Sequence, residues 1–319
     1  MNNILKWIEA QFGVDADTVF EALLMSPSAQ GYIHGAVSEI MLSRYLSDLG
    51  FNVYRIKEKP SGGFDEKKIG YKGDFLINEP NTDEYYVVEC KGLKTNSEFR
   101  SGDTDTINHT KIVTKEQAYK LLKKYINPDK DKIYESGLKR YNKVKVKWEK
   151  DHPGLSFPAF EWNHEYPGAD NADLTDYFKD LDDLYTFVEN ANPQSLTEKF
   201  FRERMGLYLI LQTHQPSTRV DEQTGIDQAA PIKTDFSIMA VDLFQRTGKH
   251  EFVFMNPKDI SHSPSSPNHL YQNYIIDIII PGVKDDLIIS PPWYWSINEC
   301  ISSTNPTKVE YDESQLDYR

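Results

Sequence analysis

Cysteine is almost absent: Cys90 and Cys300 are the only two in 319 residues, and they lie 210 positions apart. So wide a pair makes neither a disulfide framework nor a thiolate metal site, and it fits a reducing cytoplasm. A small apolar residue inside a strand explains Cys90 better than a catalytic thiol does. Long apolar runs are also missing. The longest, Tyr274 to Ile280, falls far short of the ~20 residues a membrane helix needs, so no membrane partner is expected. The opening stretch MNNILKWIEAQFGVDAD turns acidic early and has no small-residue cleavage site, which argues against a secretory signal. Phosphate loops of the forms GxxxxGK[ST] and GxGxxG do not occur, so no nucleotide cofactor is expected. The eight histidines include no HExxH, and His109, His152, His164 and His214 are scattered. Each reads as a surface or satisfied core residue. Repeats, low-complexity tracts and a convincing linker are lacking too, so residues 1–319 are expected to form a single domain.

What is present is an ordinary globular composition, with 39% hydrophobic and 27% charged residues, enough for a sizeable buried core. The net charge of −13 argues at first against a nucleic-acid partner. Its distribution is uneven, however. From Lys111 to Lys150 there are 13 Lys and Arg against 5 Asp and Glu, whereas Glu161 to Glu189 holds 9 acids against the single Lys179. Such a chain can show a basic face to phosphates while remaining acidic overall, although charge runs are also common on solvated helices.

Periodicity sketches the first half. Asn3 to Met25 reads as one or two amphipathic helices, broken at Ser26-Pro27-Ser28. A helix over Tyr32 to Leu49 follows from Ala36, Val37, Ile40, Met41, Tyr45, Leu46 and Leu49, with Gly50 placed to end it. Strands are predicted over Phe51 to Ile56, Tyr71 to Ile77 and Tyr85 to Lys91. The turn formers of Asn78 to Asp83 make the last two an antiparallel hairpin. Lys115 to Ile126 reads as a helix ended by Asn127-Pro128. Beyond it, His152 to Asp173 and His262 to His269 read as loops and Leu196 to Leu211 as a helix. Phe236 to Phe244, Glu251 to Met255, Tyr274 to Ile280 and Asp285 to Ile289 read as strands. Pro291-Pro292-Trp293-Tyr294-Trp295 could stack on bases but is better read as closing a core. The fold class is therefore α/β, a central mixed β-sheet flanked by helices, with additional C-terminal strands and loops.

The chemistry lies in Gly73-Asp74 followed by Glu89-Cys90-Lys91. On a strand, Glu89 and Lys91 share a face and Cys90 points into the opposite layer. If Asp74 sits on the neighbouring strand, its carboxylate converges on that of Glu89, and a hard divalent cation relieves their repulsion. Two carboxylates, the backbone carbonyl of Cys90 and water suit Mg2+. Lys91 would then stabilise charge on a phosphate oxygen, or orient and deprotonate the attacking water.

This constellation resembles the PD-(D/E)XK nuclease superfamily, in the variant where Gly replaces the motif's Pro. The resemblance covers roughly residues 31–126, and Glu39 occupies the place of the further acid that members carry on the preceding helix. It implies a restriction endonuclease-like core, Mg2+ dependence and cleavage of double-stranded DNA. Asp74, Glu89, Lys91 and Glu39 would be catalytic, with Asp74, Glu89 and the Cys90 carbonyl as metal ligands. The Gln-x-x-x-Tyr pattern of exonuclease branches fails here, because Gln117 is followed by Tyr119 and then Leu121. A compact core with a long remainder is similar to type II restriction endonucleases, cytoplasmic homodimers on palindromic sites. A repair or phage DNA-processing nuclease and a non-catalytic DNA-binding protein of the same fold stand as alternatives. Lys94, Arg100, Lys111 and Lys115 are candidate phosphate contacts by position. Arg202-Glu203-Arg204 resembles an Arg-acid-Arg base-reading element, but it lies 111 residues beyond Lys91 and reads better as a solvated helix end.

Overall fold

The computed structural model describes residues 2–57, 71–93, 103–104, 111–112, 114–126, 130–157, 174–191, 206–209, 219–220, 227–228, 231–260, 262–263, 266–270, 275–280, 283–284 and 286–318. Three helices open the chain: α1 (Asn2–Phe12), α2 (Ala16–Met25) and α3 (Pro27–Asp48). Asp15 caps α2 by accepting from Thr18 N at 2.8 Å. The expected break at Ser26-Pro27-Ser28 falls at Ser26, which ends α2, but it is one residue long. Ser26 is the N-cap and Pro27 occupies the first turn, where its missing N–H is not needed, so α3 begins at Pro27 and not at Tyr32. Gly50, at φ 94°, lets the chain leave α3 as expected.

Strands β1 (Asn52–Ile56), β2 (Phe75–Asn78) and β3 (Tyr85–Gly92) follow, then the short pair β4 (Asp103–Thr104) and β5 (Lys111–Ile112). Next come α4 (Lys115–Leu122), α5 (Lys130–Asp151) and α6 (Leu181–Asn190). The remaining strands are β6 (Gly206–Leu209), β7 (Arg219–Val220), β8 (Asp227–Gln228), β9 (Ile238–Asp242), β10 (Phe252–Met255), β11 (His262–Ser263), β12 (Ser266–Leu270), β13 (Ile275–Ile279) and β14 (Leu316–Asp317). The short helix α7 (Phe244–Thr247) links β9 to β10, and α8 (Ile297–Thr304) precedes β14.

Six strands form one mixed sheet in the order β10-β9-β3-β2-β1-β14. The β2–β3 hairpin is antiparallel, with Phe75 opposite Val88, as the turn chemistry predicts. Among the described strands only β3 and β9 pair in parallel, Cys90 opposite Ala240 and Gly92 opposite Asp242. Three of the six strands, β9, β10 and β14, come from outside residues 31–126.

Alternation along the strands sorts the core into two layers. Phe75, Ile77, Tyr86, Val88, Cys90, Ile238 and Ala240 lie with Leu42 and Leu46 of α3 and with Ile297 and Cys300 of α8. Leu76, Val87, Met239, Val241, Val253 and Met255 form the opposite layer with Trp293. Trp293 and Tyr294 are buried, so the aromatic tract does close a core, while Trp295 is exposed. Ala118 and Leu122 of α4 and Leu184 and Val188 of α6 make a separate cluster.

Several expectations for the second half are corrected. Gly206 to Leu209, placed in a helix, is strand β6, because its apolar residues find a pairing partner in β13; 196–205 and 210–211 lie outside the described residues. His262 to His269, expected as a loop, includes the β11–β12 hairpin, held by backbone pairing that no side-chain pattern announces. Leu287 to Ile289 is not a strand. The chain turns back at the Ile280–Lys284 bridge, and the buried Lys284 ammonium bonds Asp277 Oδ2 at 2.5 Å. Phe244, expected at a strand end, lies in α7 beyond the end of β9. Among the described residues, no helix is long and apolar enough to cross a membrane.

Candidate active site

Gly73 decides how the second carboxylate reaches the first. A Cβ built there would lie 2.5 Å from Val87 Cγ1 and 2.9 Å from the Val88 carbonyl oxygen, closer than real Cβ atoms come. Only glycine lets the chain run this tightly along β3. Asp74 follows directly, just before β2 begins. Its N–H donates to the Val88 carbonyl at 2.9 Å and its carbonyl accepts from Ile56 N at 3.0 Å, so the backbone is clamped between β3 and β1. Gly73→Ala is expected to cost about 1–3 kcal/mol of stability, as overpacking does. The same substitution should lower any activity that depends on Asp74 by at least about tenfold, because misplacement of 1 Å at a reacting group already costs ~100-fold. Thermal melts and initial rates of the variant check both; a full-rate Gly73→Ala protein would mean that this close approach is not what positions Asp74.

One position beyond the last paired residues of the hairpin, Phe75 and Val88, come Asp74 and Glu89. Asp74 Oδ2 accepts from Cys90 N at 2.7 Å. Loss of water, the Glu89 charge and more weakly the Glu39 charge push the Asp74 carboxyl well above its ordinary value, against the pull of Lys91 and of the Cys90 N–H. Glu89 is 4% exposed, and its carboxylate holds the Lys91 ammonium in a direct ion pair. Burial alone would lower the Lys91 ammonium, but the Glu89 and Asp74 carboxylates outweigh it and hold its pKa above the usual value. Lys91 is therefore a cation in this arrangement. Cys90 points into the α3 layer, and burial pushes its thiol well above the usual range, which excludes a ready thiolate.

Glu39 comes from α3, on the other side of the sheet, where Arg55 of β1 binds it at 2.9 Å. Sequence reading missed Arg55 and a buried anchor next to the site. Asp242, 1% exposed at the end of β9, accepts from Ser38 Oγ at 2.6 Å and bonds His250 Nδ1 at 2.7 Å through the same oxygen. Its other oxygen accepts from Phe244 N (2.9 Å) at the start of α7, and its carbonyl accepts from Leu93 N (3.2 Å). Asp242 thus ties the end of the Glu89–Lys91 strand to α3, one residue before Glu39. An acid at the end of an apolar strand was the available signal, but nothing in the sequence paired it with Ser38.

The remaining candidates are not brought to this site by any described contact. Lys115 Nζ binds the Glu189 carbonyl and lies 3.7 Å from its carboxylate, joining α4 to α6. Lys111 stands in β5 opposite Thr104. Lys94, Arg100, Arg202 and Arg204 fall outside the described residues.

Can these residues hold a divalent cation? Asp74 and Glu89 are hard oxygen donors, and the Glu89 charge adds to burial in raising the Asp74 carboxyl, the electrostatic setting a cation relieves. The Cys90 carbonyl leaves β3 on the same edge as its N–H, which meets Asp74. Among the described residues no three His, Cys, Asp or Glu side chains stand close enough to hold a metal by themselves. Two carboxylates and a backbone carbonyl are oxygen donors of the kind Mg2+ takes together with several waters. Comparison with protein-family models, with curated proteins and with solved structures found no match.

Proposed function

We propose that this chain is a Mg2+-dependent nuclease that hydrolyses phosphodiester bonds of double-stranded DNA, in the manner of a type II restriction endonuclease acting in the cytoplasm. The observation that carries this reading is the juxtaposition of Asp74, Glu89 and Lys91 at one end of the β2–β3 hairpin, two carboxylates in electrostatic contact with a cationic lysine. Asp74, Glu89 and the Cys90 carbonyl would hold Mg2+. When bound, the ion supplies a polarised phosphate and a water of lowered pKa. The chain's own part is positional and electrostatic. Gly73 and the clamped Asp74 backbone fix one carboxylate, β9 buttresses the strand that carries the other, and Lys91 presents its charge to a phosphate oxygen as negative charge accumulates there. Glu39, restrained by Arg55, adds to the negative field around Asp74 and so favours a bound cation.

Helix α5 supports a polyanionic substrate. Lys132, Lys139, Arg140, Lys143, Lys147 and Lys150 are exposed, and at 3.6 residues per turn they fall within about 100° of one another around the axis. The opposite side is turned inward by Tyr141 and Trp148, which pack on Phe157. A cationic ridge roughly 30 Å long on a protein of net charge −13 suits a phosphate backbone.

The test is incubation of purified protein with unmethylated phage-sized DNA, in Mg2+ and in EDTA. Discrete fragments in Mg2+ and none in EDTA are expected, and their ends would define the site. Binding that persists in EDTA with no cleavage in Mg2+ would replace this reading with a non-catalytic DNA-binding one.

A further inference from the structure

Near Asp74, three cations of the described chain are held by carboxylates. Lys91 lies against Glu89, Lys72 bonds Asp235 at 3.1 Å, and Arg55 bonds Glu39 at 2.9 Å. Lys57, two residues beyond Arg55, reaches the Ser314 carbonyl at 2.8 Å instead. The three ion pairs are not equivalent. The Glu89 and Asp235 side chains are 6% and 4% exposed, so withdrawing Lys91 or Lys72 would strand a buried carboxylate. The Glu39 and Arg55 side chains are 22% and 37% exposed, so water can replace either partner when the pair opens. An ion pair this open contributes little to stability. Arg55 is therefore the cation of the three that can leave its carboxylate most cheaply.

Position and chemistry say what it leaves for. Arg55 stands opposite Phe75, the residue after Asp74, and the next residue, Ile56, donates its N–H to the Asp74 carbonyl. A strand separation of ~4.8 Å and a rise of ~3.3 Å put the Arg55 and Asp74 Cα atoms on the order of 6 Å apart. Arg55 points to the α3 side of the sheet, whereas alternation puts Lys91 on the opposite face. The two cations thus flank the sheet end where Asp74 and Glu89 meet. A guanidinium is a planar fork of N–H donors that matches two oxygens of one phosphate. Exchanging Glu39 for a phosphodiester keeps one negative charge beside that fork and returns Glu39 to water. It also leaves unopposed the Glu39 charge that acts on Asp74, which favours a cation there. We infer that Arg55 is a substrate-contacting residue, one that leaves Glu39 to hold a backbone phosphate of DNA bound at Asp74, Glu89 and Lys91. The inference rests on DNA being the ligand, as in the nuclease reading.

Binding of a short fluorescent duplex to the full-length chain in EDTA, titrated at several salt concentrations, tests it. Arg55→Gln is expected to raise the dissociation constant about tenfold, as loss of one charge-assisted contact does. The slope of log affinity against log salt should flatten by about 0.9, the signature of one lost phosphate contact. Arg55→Lys keeps the charge without the fork and should fall between wild type and Arg55→Gln. Lys308→Gln breaks an equally exposed pair, with Glu84 at the far end of the β2–β3 hairpin, and must leave affinity and slope near wild type. An Arg55 that serves only to hold Glu39 predicts no further loss once Glu39 is changed, so Arg55→Gln is also made in the Glu39→Gln background. The loss is expected to persist there. Melting temperatures near wild type are expected throughout, because the pair is open to water. Wild-type affinity and slope in Arg55→Gln overturn the inference, and so does a loss that vanishes when Glu39 is Gln. Failure of the nuclease reading looks different: a duplex bound with the Arg55-dependent slope but never cut in Mg2+ ends that reading and keeps this contact. A wild type that binds no duplex ends both.

Discussion

Asp74→Ala and Lys91→Ala are each expected to reduce Mg2+-dependent DNA cleavage by about 1,000-fold or more, which in a gel assay is complete loss. The two losses have different origins. Without Asp74, Glu89 would be the one carboxylate left to hold Mg2+, which would bind less tightly than to the pair. Raising Mg2+ should therefore recover part of the activity of Asp74→Ala. Without Lys91 the donor set is intact and the charge opposite the phosphate is gone, so added Mg2+ should recover nothing. Lys91→Arg separates charge from proton transfer, because a guanidinium cannot be deprotonated in a protein. Substantial activity in Lys91→Arg would support an electrostatic role for Lys91, and its loss a role in proton transfer. Wild-type rates in Asp74→Ala would sink the site assignment.

The same two positions should move stability in opposite directions. Asp74 is held above its ordinary value of 3.8 by loss of water and by Glu89. The folded chain therefore binds that proton more tightly than the unfolded one. Between the ordinary value and the raised one, unfolding releases a proton, so metal-free stability must fall as pH rises through this window. Asp74→Asn removes the penalty. Its metal-free melting temperature at neutral pH should exceed that of wild type by roughly 2–4 °C for each kcal/mol of repulsion relieved, and its pH dependence should flatten. Mg2+ should raise the wild-type melting temperature and leave Asp74→Asn nearly unmoved. Lys91→Ala does the reverse: it strands the buried Glu89 beside Asp74 without a cation, a change worth about 3 kcal/mol of destabilisation. Melting scans at several pH values, with and without Mg2+, check both signs. A wild type that grows more stable with rising pH across the window would contradict the Asp74–Glu89 repulsion.

The hairpin that carries the site was legible because its information is local. Alternation in Tyr85 to Lys91, the turn formers of Asn78 to Asp83 and the step from Gly73 to Asp74 specify two strands, their direction and the face each acid takes. The strand containing Asp74 was drawn too long at its start. Tyr71 and Lys72 look β-prone, yet Tyr71 N turns aside to Gln315 Oε1 and Lys72 pairs with Asp235 at 3.1 Å. Partners so distant in sequence leave no trace in a period of two. The same reason hid β9 as the parallel neighbour of β3, and with it the anchoring of Asp242 on Ser38 and His250. Helices α5 and α6 escaped because Lys-rich and Asp-rich runs mask the few apolar residues that set their phase, Tyr141 and Trp148 in one and Leu184 and Val188 in the other.

The parallel pairing of β3 with β9 also sets an order of events. Val87 N–H is bonded by Ser237 Oγ across 150 residues of chain, and the strand bearing Glu89 and Lys91 gains its second neighbour only when residues 238–242 arrive. Closing so large a loop is slow compared with forming the β2–β3 hairpin, so that hairpin exists first with one bare edge. During synthesis Glu89 and Lys91 therefore remain on an unsupported strand until residues 238–242 have left the ribosome, and the candidate site is completed late.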